Sequence, residues 1–122
     1  VGEFKNKMGM YFQKKLKYKN IKVEIDGIKF DSKKEANKYQ ELMMLQKAGV
    51  ISNLQRQVKF EVCPKSATER ASFYVADFVY TQADGKKIIM DVKSEITRKL
   101  AVYILKRKLV KNLYKDYIFL ES

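Results

Sequence analysis

The stretch Phe73-Tyr74-Val75-Ala76-Asp77-Phe78-Val79-Tyr80 constrains this chain most. So dense a run of aromatic and β-branched residues belongs in a largely buried strand, and such a strand has little reason to carry a carboxylate. Ala83-Asp84-Gly85 then supplies turn chemistry, and Lys87-Ile88-Ile89-Met90-Asp91-Val92-Lys93 reads as the returning strand of a hairpin. If Ala83 to Gly85 form the loop with Gly85 left-handed, Gln82 faces Lys86 and the register sets Asp77 opposite Asp91. Side chains alternate with period two, so Asp91 and Lys93 share that face while Val92 points away. A loop shorter by one residue would shift the pairing and spoil the alignment.

A chain of 122 residues is most simply one domain. Residues 1–20 read as a basic arm and 21–122 as the folded domain. The 26 Lys and Arg outnumber 14 Asp and Glu, giving a formal net charge of +12, which favours a polyanionic partner. Nucleic acid fits better than a membrane, because no long apolar run or strongly segregated amphipathic anchor is present. Cys63 is the lone cysteine and there is no His, which excludes a disulfide framework, a thiolate and imidazole zinc site, and Ser-His or Cys-His catalysis. Carboxylates, Lys and Tyr remain as chemical groups, and an intramolecular metal site has only oxygen ligands to draw on. No signal peptide is visible. The first twenty-two residues hold seven lysines, Lys14 and Lys15 among them, with Tyr11, Phe12 and Tyr18 interleaved, and this suits contact with a phosphate backbone, or equally a solvated tail.

Ile21 to Glu24, Asp26-Gly27 and Ile28 to Phe30 look like a short hairpin. Asp31-Ser32 opens a helix with Glu35 in its first turn, ending near Ala48-Gly49. Leu54 to Val62 reads as a strand, Pro64 to Arg70 as a polar loop, Thr97 to about Tyr114 as one long basic helix, and Tyr117 to Leu120 as a last strand. The expected fold class is α/β (α+β): a mixed central sheet flanked by helices, with an N-terminal hairpin.

Phosphodiester cleavage without His is naturally carried out by carboxylates holding Mg²⁺, which polarises the phosphate and lowers the pKa of an attacking water. Asp77 and Asp91 suit metal ligation, the Val92 carbonyl could add an oxygen, and Lys93 would orient or help deprotonate the water. Each residue also has a structural reading. Asp91 and Lys93 can be an ordinary charge pair at a strand end. Glu35 stands three residues after Ser32, the capping-box spacing, which makes capping its favoured role. Asp77 is harder to dismiss, since a carboxylate inside so apolar a strand needs a cation, a donor or water nearby. Arg98, Lys99 and Lys106 are the candidate phosphate contacts on the second helix, with Lys99 and Lys106 on one face and Tyr103 between them. Tyr39, Tyr74, Tyr80 and Tyr103 read as core or boundary aromatics, and Gln57 is a weak candidate to reach the site.

Glu35, then Tyr74-Val75-Ala76-Asp77-Phe78, then Asp91-Val92-Lys93 and a basic helix resemble the PD-(D/E)XK nuclease superfamily. The block from Val23 to Ala36 is similar, more narrowly, to a small phage-associated group within it, and the resemblance runs from about Lys19 to Glu121. It implies a restriction-endonuclease-like sheet, metal ligation by Asp77 and Asp91, a catalytic lysine at Lys93 and a helix acid at Glu35. Ala76 replaces the proline of the signature, a position that shapes backbone and does no chemistry. Ser94 stands where relatives often have Gly.

The expectation is therefore a Mg²⁺- or Mn²⁺-dependent DNA endonuclease, with a Holliday-junction or branched-DNA resolvase as the substrate guess. A resolvase makes paired cuts, so this version expects a homodimer, in the cytoplasm of a bacterial host if the chain is phage-encoded. The competing readings are a non-catalytic nucleic-acid-binding module of a phage DNA-processing complex and a protein-interaction factor such as a nuclease inhibitor.

Overall fold

The computed structural model describes residues 22–122, so the arm with Lys14 and Lys15 lies outside the described residues. The described residues fall into two compact units that divide between Asn37 and Lys38. In the first, β1 (Val23–Ile25) and β2 (Ile28–Phe30) pair antiparallel with Ile25 opposite Ile28. Asp26 and Gly27 both have positive φ, 53° and 79°, as a two-residue turn matching strand twist requires. Helix α1 (Lys33–Lys47) starts at Ser32, whose hydroxyl accepts the Glu35 N–H at 3.1 Å and whose carbonyl accepts Ala36 N–H. It stops at Gly49, left-handed at φ 80°, where Gly49 and Val50 donate to the carbonyls of Gln46 and Leu45.

The second unit is built on a sheet of β3 (Ile51–Cys63), β4 (Ser72–Gln82), β5 (Lys87–Asp91) and β6 (Tyr117–Glu121), in that spatial order. The first two pairings are antiparallel, while β6 joins β5 in parallel. A parallel neighbour needs a crossover, and α2 (Glu95–Arg98) and α3 (Ala101–Leu113) supply it. Tyr103 and Val110 of α3 bury against Phe60, Tyr74, Val79 and Ile89 on one sheet face. On the other, the Tyr39 ring of α1 stacks on Phe78, which is fully buried. The result is a mixed α+β fold with helices on both faces of the sheet, as the sequence indicates. Tyr74, Tyr80 and Tyr103 are buried and Tyr39 is half-buried, as core and boundary aromatics should be.

One expectation fails. The helix read from Thr97 to Tyr114 is two helices. Ser94 caps α2, its hydroxyl accepting the Thr97 N–H at 3.1 Å, and α2 closes with short-range bonds from Lys99 and Leu100 to the carbonyls of Ile96 and Thr97. Leu100 is extended (φ −71°, ψ 132°) before α3 begins. Lys99 is the cap of the first helix and Lys106 lies within the second, so they form no stripe on a continuous face.

Candidate functional site

The hairpin turn determines what meets what. Gln82 N–H donates to the Lys86 carbonyl at 2.8 Å and Gly85 N–H to the Gln82 carbonyl at 2.9 Å, with Gly85 left-handed at φ 89°. Thr81 then faces Lys87, and the ladder runs to Phe78 opposite Met90. One residue further, in the same register, stand Asp77 and Asp91.

There the strand departs from regularity. The Tyr74 ring lies 6.0 Å from Phe119, and Val79 reaches Phe119 through the pairing partner they share, Ile89. Tyr74 and Val79 thus share a face although they are five apart, so the alternation of β4 skips once between them. Opposite the skip, Gln57 of β3 has a positive φ of 51°. Such irregularity is how strands re-aim side chains.

The two carboxylates cross-link the strand ends. Asp91 Oδ1 accepts the Asp77 N–H at 3.0 Å, and Asp77 Oδ2 accepts the Val92 N–H at 2.8 Å. Lys93 Nζ lies 3.3 and 3.5 Å from the two Asp77 oxygens and 3.9 Å from Asp91 Oδ1. Gln57 Nε2 adds a contact to Asp77 Oδ1 at 3.4 Å. Asp91 is 0% exposed, and its Oδ2 has no hydrogen-bond partner. Burial pushes the Asp91 carboxyl from 3.8 up to about 6, with Lys93 and the Asp77 N–H opposing the rise and Glu121 adding to it. A buried, donorless carboxylate oxygen is costly unless something electropositive meets it.

Sequence-based expectation and structure agree on Asp77, Asp91 and Lys93, which are brought together, and Gln57 reaches them. Glu35 belongs to the first unit, buried in the opening turn of α1, where its amide completes the Ser32 cap. Arg98, an expected phosphate contact, directs its guanidinium to the main-chain oxygen of Ser122 at 2.5 Å. Lys99 is exposed and Lys106 half-buried.

Sequence reasoning missed Glu121. It ends β6 directly beside Asp91, accepts a hydrogen bond from the Tyr103 hydroxyl, and pairs with Arg107 at 3.4 Å. Burial pushes its carboxyl up, but the Tyr103 bond and Arg107 outweigh this and hold it below the ordinary value. Burial and the Glu121 bond raise the Tyr103 phenol. The available signal was a charged residue closing the apolar run Tyr117 to Leu120.

Among the described residues no three His, Cys, Asp or Glu side chains group closely enough to hold a metal ion. The chain's contribution here is two carboxylates. That donor set, with one buried oxygen lacking a donor, fits Mg²⁺, which is commonly held by one or two carboxylates and completes its shell with water and substrate phosphate.

Fold and site together define a mixed α+β protein whose central hairpin ends in a buried acidic pair bridged by a lysine. The chain belongs to the DUF1064 family, described as a protein of unknown function, whose model matches residues 15–120. No curated protein and no solved structure matches it. No helix among the described residues is long and apolar enough to cross a membrane.

Proposed function

We propose that this protein is a metal-dependent endonuclease of the PD-(D/E)XK type, hydrolysing phosphodiester bonds in DNA. The observation that carries the reading is the meeting of Asp77, Asp91 and Lys93 at one strand end, with Asp91 Oδ2 buried and without a donor. Asp77 and Asp91 would hold Mg²⁺ or Mn²⁺, which supplies Lewis-acid polarisation of the phosphate and a more acidic water. Lys93 balances the paired carboxylates in the free protein. With substrate in place its ammonium turns to the phosphate, stabilises the developing negative charge and orients the attacking water. Gln57 keeps Asp77 in position while Lys93 moves.

A branched DNA such as a four-way junction is the proposed substrate, with Lys14, Lys15, Lys99 and Lys106 as phosphate contacts and the bacterial cytoplasm as the setting. Paired cuts require a homodimer, and the exposed apolar side chains Val102, Leu105 and Leu113 along α3 favour self-association.

A second reading has its own support. Because each carboxylate already accepts a main-chain N–H, the pair also makes sense as a strand-end brace in a non-catalytic DNA-binding module. Cleavage of labelled duplex, flap, four-way junction and single strand separates the two, comparing the parent chain with Asp91→Ala in Mg²⁺, Mn²⁺ or EDTA. Metal-dependent cutting that disappears in the variant is the expected result. Tight binding by both proteins with no product from any substrate would refute the nuclease and leave the module.

A further inference from the structure

We propose that Glu121 is a positioning residue for Asp91, the centre of a clasp through which α2 and α3 fix the acidic pair from the side opposite the hairpin. The use of that pair as a cation site rests on the function proposed above, whereas the clasp is read from geometry alone.

The need for it follows from the ladder. Antiparallel pairing between β4 and β5 ends at Phe78 and Met90. Beyond that pair Asp91 is tied to β4 through its own side chain, the group that has to remain available. Main-chain support for Asp91 comes instead from β6. Asp91 pairs with Glu121, and the Ser122 N–H donates to the Asp91 carbonyl at 2.8 Å.

This end of β6 is in turn held by three side chains from the crossover. Tyr103 donates its hydroxyl to Glu121 Oε2, Arg107 approaches the same oxygen at 3.4 Å, and Arg98 donates to the main-chain oxygen of Ser122. Tyr103 is itself buried against the sheet and cannot easily follow a displaced strand. Arg107 also lies over the Tyr103 ring, its guanidinium carbon 5.6 Å from the centroid, so donor and counter-ion support each other. A carboxylate at this position accepts from both groups at one oxygen. Glu121 acts on Asp91 through the paired main chain, and outer partners that fix a metal-binding carboxylate commonly govern affinity by 10- to 100-fold without touching the ion.

The test uses the full chain and two readouts. Mn²⁺ affinity is measured by electron paramagnetic resonance, and amide hydrogen exchange is followed at Asp77 and Val92, whose N–H groups the two carboxylates receive. Glu121→Ala is expected to weaken Mn²⁺ binding about 10-fold and to speed exchange at those two amides, with the hydrophobic sheet centre still protected. Glu121→Gln, which still accepts from Tyr103, restores amide protection. Tyr103→Phe, a near-isosteric change, shows the same local pattern to a smaller degree should Glu121→Ala not fold. Native exchange at Asp77 and Val92 in Glu121→Ala and Tyr103→Phe would overturn the proposal. So would a uniform rise across the whole sheet, which marks a general scaffold role. If the parent chain binds no Mn²⁺ while the local exchange pattern still holds, the clasp stands and the nuclease reading falls.

Discussion

Asp91→Asn separates the energetic cost of the buried charge from the shape of the site. The Asp91 carboxyl titrates near 6 in the folded chain against 3.8 when solvated. Because the folded value is the higher one, the associated stability is fully present below about pH 4 and is lost as pH rises to about 6. At about 1.4 kcal/mol per pKa unit, the loss approaches about 3 kcal/mol. Asn keeps an acceptor for the Asp77 N–H but never ionises. The variant should therefore gain on the parent by up to about 3 kcal/mol between pH 4 and pH 7, with most of the change before pH 6. In thermal unfolding this is a relative rise in Tm of roughly 10 °C, followed by circular dichroism in EDTA. Any fixed steric effect of the substitution cancels when the two proteins are compared across pH. A gap between them that is the same at pH 4 and pH 7 would refute the argument. Adding Mn²⁺ above pH 6 should raise the parent's Tm and leave Asp91→Asn unmoved, because ion binding stabilises only a folded state that has the site.

Three further outcomes are expected. Phe78→Ala removes a ring with 0% exposure and should cost about 3–5 kcal/mol in urea unfolding; a loss below 1 kcal/mol would mean the α1 face of the sheet is loosely packed. Gly85→Ala meets no atom within 4 Å of the new Cβ, yet the residue sits at φ 89°, so a backbone penalty of about 1–2 kcal/mol is expected; an unchanged urea midpoint would contradict the turn assignment. Lys93→Met should reduce the rate of metal-dependent cleavage about 100-fold or more while changing junction affinity only slightly, and an equal loss in both would make Lys93 a binding residue.

The hairpin could be read from the sequence because its determinants are local. Gly85 fixes the loop, the loop fixes the register, and the register brings Asp77 to Asp91. The cap at Ser32 and the stop at Gly49 were legible for the same reason. The break at Leu100 was not, since neither Gly nor Pro marks it and the apolar spacing continues through it. Glu121 was hidden by topology. A parallel pairing reached through a crossover carries no turn chemistry to set its register, so nothing local shows that Glu121 lands beside Asp91. The bond from Arg98 was hidden for a similar reason, because its acceptor, Ser122, lies 24 residues away, just past the end of β6.

The parallel attachment of β6 also sets an order in time. The β4–β5 hairpin closes over a tight turn, and such hairpins form in about 1–10 μs. The strand that supports Asp91 pairs through a crossover of two helices, a less local contact that is expected to form more slowly. On that order Asp77 and Asp91 are expected to meet before the sheet gains its last strand. An acidic pair with Lys93 already beside it carries its own counter-charge through that interval, which limits repulsion between the two carboxylates before the fold is complete.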